Sequence, residues 1–215
     1  MCGILLHKGL RLTEDEFLSN LKKLSHRGPD GSDFKKFKDL FIGHTRLSII
    51  DLSINGLQPM VSSCNNFVLS FNGEIYNFKN LKSNLENKGY NFVSMTDSEV
   101  VLNGFIEYGN KIFEMLNGIF SIIIYDTRQD KIIIARDSFG VKPLYYFISK
   151  DQIIISSETK VFHDYCEKDE KSKILFLSHG YIPFPMTNLK DVFSFPPGCY
   201  SEIKDYKIIT RTFFD

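Results

Sequence analysis

The chain has 215 residues, 43% of them hydrophobic, enough for a single domain with a sizeable core. Lys+Arg and Asp+Glu both number 26, so the net charge is zero and no basic field is available to hold nucleic acid or an anionic membrane. Cys2, Cys64, Cys166 and Cys199 lie far apart without a C-x-x-C pair, which argues against a zinc site or a disulfide framework and suits a reducing cytosol.

At the N-terminus, Ile4-Leu5-Leu6 is interrupted by His7 and Lys8 and never becomes a signal-peptide core. No run approaches the ~20 apolar residues of a membrane helix, so the expected setting is cytoplasmic. Residues 2–6 read as a short apolar strand. Residues 13–24 read as a helix capped by Thr13 with Glu16 three positions on, burying Leu18, Leu21 and Leu24. His26-Arg27-Gly28-Pro29-Asp30-Gly31 is a dense turn. Strands are expected at 40–44 and 66–71, bracketing the segment 46–58. Helical periodicity returns at 78–85 and 97–108. Four β-branched and aromatic runs, 119–125, 131–135, 144–148 and 152–156, read as antiparallel strands with tight links. Residues 160–172 read as a polar connector, followed by a helix near 174–179 and a Pro-rich finish. Strands grouped apart from helices suggest an α+β arrangement, sheets covered by helical layers.

The chemistry begins at Met1-Cys2-Gly3. Removal of Met1 would give Cys2 a free α-amine beside its own thiol. With a pKa of roughly 8, that amine can accept the thiol proton near neutral pH. Taken alone, Cys2 reads equally as an ordinary small second residue. A thiolate attacking an amide creates an oxyanion that needs preset donors, and Asn72-Gly73 can offer a side-chain N–H and an unobstructed backbone N–H. The same dipeptide is also the commonest hairpin turn. A glutamine-like substrate exposes a carboxylate and an ammonium. Arg46 can fork onto the first; Asp97 and Glu74 can receive the second. Asp97 reads equally as a helix-capping or first-turn acid, and Arg46 as a surface ion pair.

Several segments, taken together, resemble the class II glutamine amidotransferase domain of asparagine synthetases. They are Met1-Cys2-Gly3-Ile4, Arg27-Gly28-Pro29-Asp30, Arg46-Leu47-Ser48-Ile49-Ile50-Asp51, Asn72-Gly73-Glu74-Ile75-Tyr76-Asn77 and Thr96-Asp97-Ser98-Glu99. The likeness continues through Ala135-Arg136-Asp137-Ser138-Phe139-Gly140-Val141-Lys142-Pro143 and Phe195-Pro196-Pro197-Gly198. The Arg46–Asp51 run is similar to asparagine synthetases and unlike the sugar-phosphate or phosphoribosyl branches.

The resemblance implies the N-terminal nucleophile hydrolase fold, an αββα sandwich of two antiparallel sheets between helical layers. It implies Cys2 as nucleophile and, through its amine, base; Asn72 and Gly73 as oxyanion hole; Arg46, Glu74, Asp97 and the backbone at Ile50 as glutamine-binding groups; and Arg27 as a candidate site wall. It implies residues 1–160 as the amidotransferase core, with 161–215 as an extension of the same domain leading toward a synthetase domain. No metal or cofactor is expected for glutamine hydrolysis. ATP and Mg would belong to a synthetase domain or partner carrying a pyrophosphate-binding loop, since no glycine-rich phosphate loop occurs here. L-glutamine is the expected ligand. The rivals are a catalytically silent domain that binds or regulates a synthetase, and a hydrolase acting on another amide.

Overall fold

The computed structural model describes residues 1–10, 12–49 and 51–214. In chain order its first strands are β1 (Gly3–Gly9), β2 (Gly31–Phe37), β3 (Leu40–Arg46), β4 (Met60–Val61), β5 (Phe67–Ile75) and β6 (Gly118–Asp126). These are followed by β7 (Lys131–Arg136), β8 (Tyr145–Ile148), β9 (Gln152–Ser156), β10 (Phe193–Ser194), β11 (Cys199–Lys204) and β12 (Lys207–Thr212). The helices are α1 (Glu14–Lys22), α2 (Phe78–Glu86), α3 (Asp97–Tyr108), α4 (Ile112–Met115) and α5 (Glu170–His179). Among the described residues the strands form two six-stranded sheets, ordered β10-β8-β9-β1-β3-β2 and β12-β11-β7-β6-β5-β4. Neighbouring strands run antiparallel throughout.

Side-chain alternation sets the layers. In the first sheet Ile4, Leu6, Leu40, Ile42, Ile153 and Ile155 point inward, meeting Val68, Ile123, Tyr125, Ile132 and Ile134 of the second. The intervening residues point outward. Leu5, Phe41 and Ile154 pack beneath α1 and the 3-10 segment Thr159–Asp164, while Leu69, Phe71, Ile122, Ile124 and Ile133 pack beneath α2, α3 and α4. Both faces of each sheet are therefore buried, which is why β6 and β7 read as continuous apolar runs. This is an α+β sandwich of two antiparallel sheets between helical layers, as the resemblance implies.

Helix α1 carries the expected capping box, with Thr13 Oγ1 accepting from Glu16 N while the Glu16 carboxylate accepts from Thr13 N. Its buried apolar face is Phe17 and Leu21, however, continued past its end by Leu24, and Leu18 is 40% exposed. Spacings of four and three place Phe17 on the same stripe as the two leucines. Its ring stacks on Phe41 at 5.2 Å and occupies the hollow left by Gly43, where a Cβ would lie 2.9 Å from the ring. Strands β2, β4, β10, β11 and β12 extend the sheets beyond the strands expected from the sequence; β11 pairs with β7, so residues near the C-terminus complete the second sheet.

Phe17→Ala should lower the unfolding free energy by about 3–5 kcal/mol, and Leu18→Ala by no more than about 0.5 kcal/mol, measured by urea denaturation. Equal costs would contradict this packing.

Candidate active site

At one end of the sandwich the inward positions become polar. Continuing the parity of Ile4 and Leu6 places Cys2 on the inner face, and the same alternation turns His44 of β3, Ser70 and Asn72 of β5, and Ser121 of β6 inward. Hydrogen bonds replace apolar packing across the gap. Ser70 Oγ donates to Gly43 O at 3.0 Å, and His44 Nε2 donates to Phe71 O at 3.1 Å. Burial lowers the His44 pKa to about 4, so the ring is neutral at physiological pH.

A cavity of about 230 Å3 opens at this end, bounded by Cys2, Arg46, Asn72, Gly73, Glu74 and Asp97 together with residues of the segment that follows β3. It is smaller than the ~300–1,000 Å3 of pockets for drug-sized ligands, a scale suited to a free amino acid. The Cys2 sulfur accepts from Leu47 N at 3.4 Å. Burial raises the thiol pKa, against the Leu47 hydrogen bond and the positive charges of the chain's ammonium, Arg46 and Lys142. A deeply set thiol of this kind needs a nearby base to become a thiolate.

Asn72 and Gly73 do not form a hairpin turn. They lie within β5, opposite Ser121 and Phe120 of β6. A turn rule misleads here because the strand runs on through Ile75. Glycine is needed at 73 because a Cβ there would meet Ile119 O at 2.3 Å. The Asn72 amide makes only a long contact of 3.5 Å to Ser121 Oγ, leaving an N–H able to meet a developing negative charge.

Arg46 is 8% exposed. Its Nη1 donates to Ser53 O at 2.9 Å and its Nη2 donates to Asp51 O, so the following loop braces the guanidinium while three of its five N–H donors stay available. Asp51 fastens that loop in turn, accepting from Ser53 N at 2.8 Å and from Met95 N at 3.1 Å. The Ser53 hydroxyl, followed by the backbone N–H groups of Met95 and Ser53, brings the Asp51 pKa down to about 2. The backbone at Ile50, expected to contact substrate, lies outside the described residues.

Asp97 is the first residue of α3, and Thr96 is the N-cap, its hydroxyl accepting from Glu99 N. Asp97 is thus a first-turn acid that also borders the cavity. Its Oδ2 accepts from Ile75 N at 2.9 Å. Burial pushes its carboxyl up to about 6, opposed by backbone hydrogen bonds from Ile75 and Ser98 and reinforced by Glu74. Glu74 itself is exposed at the rim. Glu99, the last residue of the Thr-Asp-Ser-Glu segment, faces away from substrate chemistry: it accepts from Val93 N at 2.9 Å and Ser94 N at 2.7 Å, tying the approach to α3.

Arg27 does not bound the cavity. It reaches the backbone of Cys2 instead, Nε donating to Cys2 O at 2.9 Å. Gln58 and Lys142 are among the cavity residues that escaped the sequence reading. Gln58 accepts from Phe71 N at 2.6 Å and donates to Ser98 Oγ at 3.1 Å; nothing local marked it. Lys142 also borders the cavity, and its signal was the motif around it. Asp137 accepts from Val141 N at 2.8 Å and Lys142 N at 3.0 Å, while Arg136 donates to Gly140 O and Lys142 O, both at 2.7 Å. That motif is thus a knitted turn that presents Lys142. Among the described residues no group of three or more His, Cys, Asp or Glu side chains is arranged to hold a metal, and no helix is long and apolar enough to cross a membrane.

Residues 1–214 match the family described as a glutamine amidotransferase domain. An asparagine synthetase (glutamine-hydrolyzing) of Oryza sativa subsp. japonica is 37% identical over 173 residues, 78% of this chain and 29% of the relative. That of Bacillus subtilis is 34% identical over 206 residues, 94% of this chain and 32% of the relative. The chain thus spans about a third of the length of these curated relatives. Among solved structures, the glutamine phosphoribosylpyrophosphate amidotransferase of B. subtilis superposes with a TM-score of 0.75 at 22% identity, covering 99% of this chain and 49% of that one, which shows a shared fold. Family, relatives and fold agree with the motifs read from the sequence: the chain belongs to the glutamine amidotransferase domain family, as a class II domain homologous to part of the glutamine-hydrolyzing asparagine synthetases.

Proposed function

We propose that this domain hydrolyses L-glutamine to glutamate and ammonia through Cys2. The observation that carries the reading is the meeting, around one cavity, of a second-residue cysteine from the first sheet with Asn72, Gly73, Arg46 and Asp97. With Met1 removed, the α-amine takes the thiol proton and the sulfur attacks the side-chain carbonyl carbon. The Asn72 amide and Gly73 N–H receive the oxyanion. As the tetrahedral intermediate collapses, the amine returns the proton to the departing nitrogen, and ammonia leaves. Water, deprotonated by the same amine, then hydrolyses the γ-glutamyl thioester and regenerates the thiol. Arg46 pairs with the substrate carboxylate, and Asp97 with Glu74 receives its ammonium. Domains of this family need no cofactor for these steps.

Ammonia released here would serve an ATP-dependent amidation of asparagine-synthetase type on another domain or polypeptide, which would carry the ATP and Mg sites. The likeness to asparagine synthetases of about three times this length supports that division of labour. The exposed apolar side chains of Ile174, Phe176 and Leu177 on α5 supply a surface on which such a partner could seat. A cytoplasmic setting accords with the four unpaired cysteines. Residues 161–215 belong in this reading to the amidotransferase domain itself. A catalytically silent domain is the less favoured account, because the full set of pocket residues is retained.

Protein lacking Met1 should release glutamate from glutamine, and Cys2→Ala should lower the rate by at least about a thousandfold; equal rates in the two would end the proposal. Arg46→Lys should raise KM for glutamine about tenfold or more with little change in kcat, since an ammonium cannot reproduce the two-pronged contact. Asp97 must be ionised to hold the substrate ammonium, and its pKa near 6 sets the sign: affinity is full above that pH and lost as pH falls through it. Calorimetry of glutamine binding to Cys2→Ala should show Kd rising below about pH 6, by up to about tenfold per pH unit, with the slope absent in Asp97→Asn.

A further inference from the structure

Strand pairing alone does not place the first residues of the chain. Three side chains from three other elements grip the backbone of residues 2–4. Gly3 N donates to Thr45 Oγ1 at 3.1 Å, Ile4 N donates to Ser157 Oγ at 3.1 Å, and Cys2 O accepts from Arg27 Nε at 2.9 Å. The Arg27 contact is the one that reaches the nucleophile's own residue. The Arg27 guanidinium is 8% exposed and has one other protein anchor, Nη1 donating to Glu158 Oε1 at 3.0 Å; its Nη2 is buried without a protein partner. A planar fork held at Nη1 has its Nε direction fixed as well.

Glu158 is itself well secured. It accepts from His26 Nε2 at 2.7 Å through Oε1 and from Lys160 Nζ at 3.1 Å through Oε2. Burial alone would raise its carboxyl pKa, but the hydrogen bonds from Arg27, Lys160 and His26 overcome this and lower it. It directly follows Ser157, which holds Ile4 by two bonds, Ser157 N donating to Ile4 O at 3.1 Å as well as the side-chain contact. The carboxylate and the serine that holds Ile4 are therefore carried on one short stretch of chain just after β9. On the opposite side, Gly28 lets the Arg27 turn press against β3, where a Cβ would lie 2.2 Å from the Thr45 carbonyl carbon. Arg27 is thus confined from both directions.

We propose that Glu158 is a positioning residue for the nucleophile: by holding Arg27 it fixes the Cys2 carbonyl, and with it the line of the sulfur toward Asn72 and Gly73. The consequence for turnover rests on the glutaminase reading above; the clamp itself does not. Glu158 touches neither the cavity nor substrate, so it should act on kcat and leave binding alone. An error of ~1 Å in the placement of a reacting group can cost about a hundredfold in rate. Intrinsic thiol chemistry should be spared, because the amine and sulfur belong to one residue and keep their proximity.

The test compares Glu158→Ala, Glu158→Gln and Arg27→Lys with the wild-type domain. In Glu158→Ala and Arg27→Lys, kcat for glutamine hydrolysis should fall by about tenfold to a hundredfold while KM stays within about twofold. Alkylation of Cys2 by iodoacetamide should keep its rate within about twofold. Glu158→Gln, whose amide oxygen still accepts from Arg27, should recover most of the loss. Solvent exchange of the Arg27 Nε proton, followed by nitrogen-15 NMR, should speed up at least about tenfold in Glu158→Ala. Arg27→Lys covers the case in which a buried cation without its counter-charge prevents Glu158→Ala from folding. Unchanged kcat, a loss confined to KM, slowed alkylation, or an Arg27 proton indifferent to Glu158 would each overturn the proposal. Absence of turnover in the wild type would instead sink the glutaminase reading, and the proton-exchange arm would still decide the clamp.

Discussion

The cavity exists because the chain's first strand is an interior strand. β1 lies between β3 and β9, so its inward side chains are locked in register with both neighbours, and a slip of one residue would exchange every inward and outward position. Ile4 and Leu6, both fully buried, hold that register from the apolar side, each worth roughly 1.5–3 kcal/mol of burial. Cys2 inherits its orientation from them. A cysteine at the start of a central strand is thereby aimed by the core itself.

The change from apolar to polar at one end of the sandwich has a definite physical cost. Buried polar groups favour finding partners: Ser70 bonds Gly43 and His44 Nε2 bonds Phe71 from one sheet to the other, and Gln58 links Phe71 of β5 to Ser98 of α3. These contacts let the sheets stay together where side chains small enough to leave a cavity cannot fill the gap. Groups that border the cavity are held in turn by groups behind them. Asp51 secures the loop behind Arg46, and Glu99 secures the approach to Asp97. Much of the motif content of the chain is scaffolding of this kind.

How far the residues alone disclose this depends on whether a feature is local. Helix α3 was legible to its bounds, because an acid opens it at Asp97 and its apolar residues recur with helical spacing, although its cap proves to be Thr96; the capping box of α1 was equally plain. The stripe on α1 was half read. Leu18 and Phe17 are both apolar, and only the hollow over Gly43 on another strand selects Phe17. Asn72-Gly73 carried a turn signal that the pairing of β5 with β6 overrode. Strand β12 escaped notice because most of its side chains are exposed and polar, giving little periodic contrast. At the site, residue types and their order named the candidates, while Gln58 and the route by which Arg27 meets Cys2 arise from folding between distant segments and left no local trace.

Met1 borders the same cavity as Cys2. In the proposed reaction residue 1 therefore obstructs in two ways: its peptide bond makes the nitrogen of Cys2 an amide, and the residue itself forms part of the chamber wall. Trimming by an aminopeptidase would unlock both at once. Any purification handle or fusion placed ahead of Cys2 would do the opposite, so a working preparation must carry its tag at the far terminus or lose it to a cut that leaves the sulfur-bearing residue first.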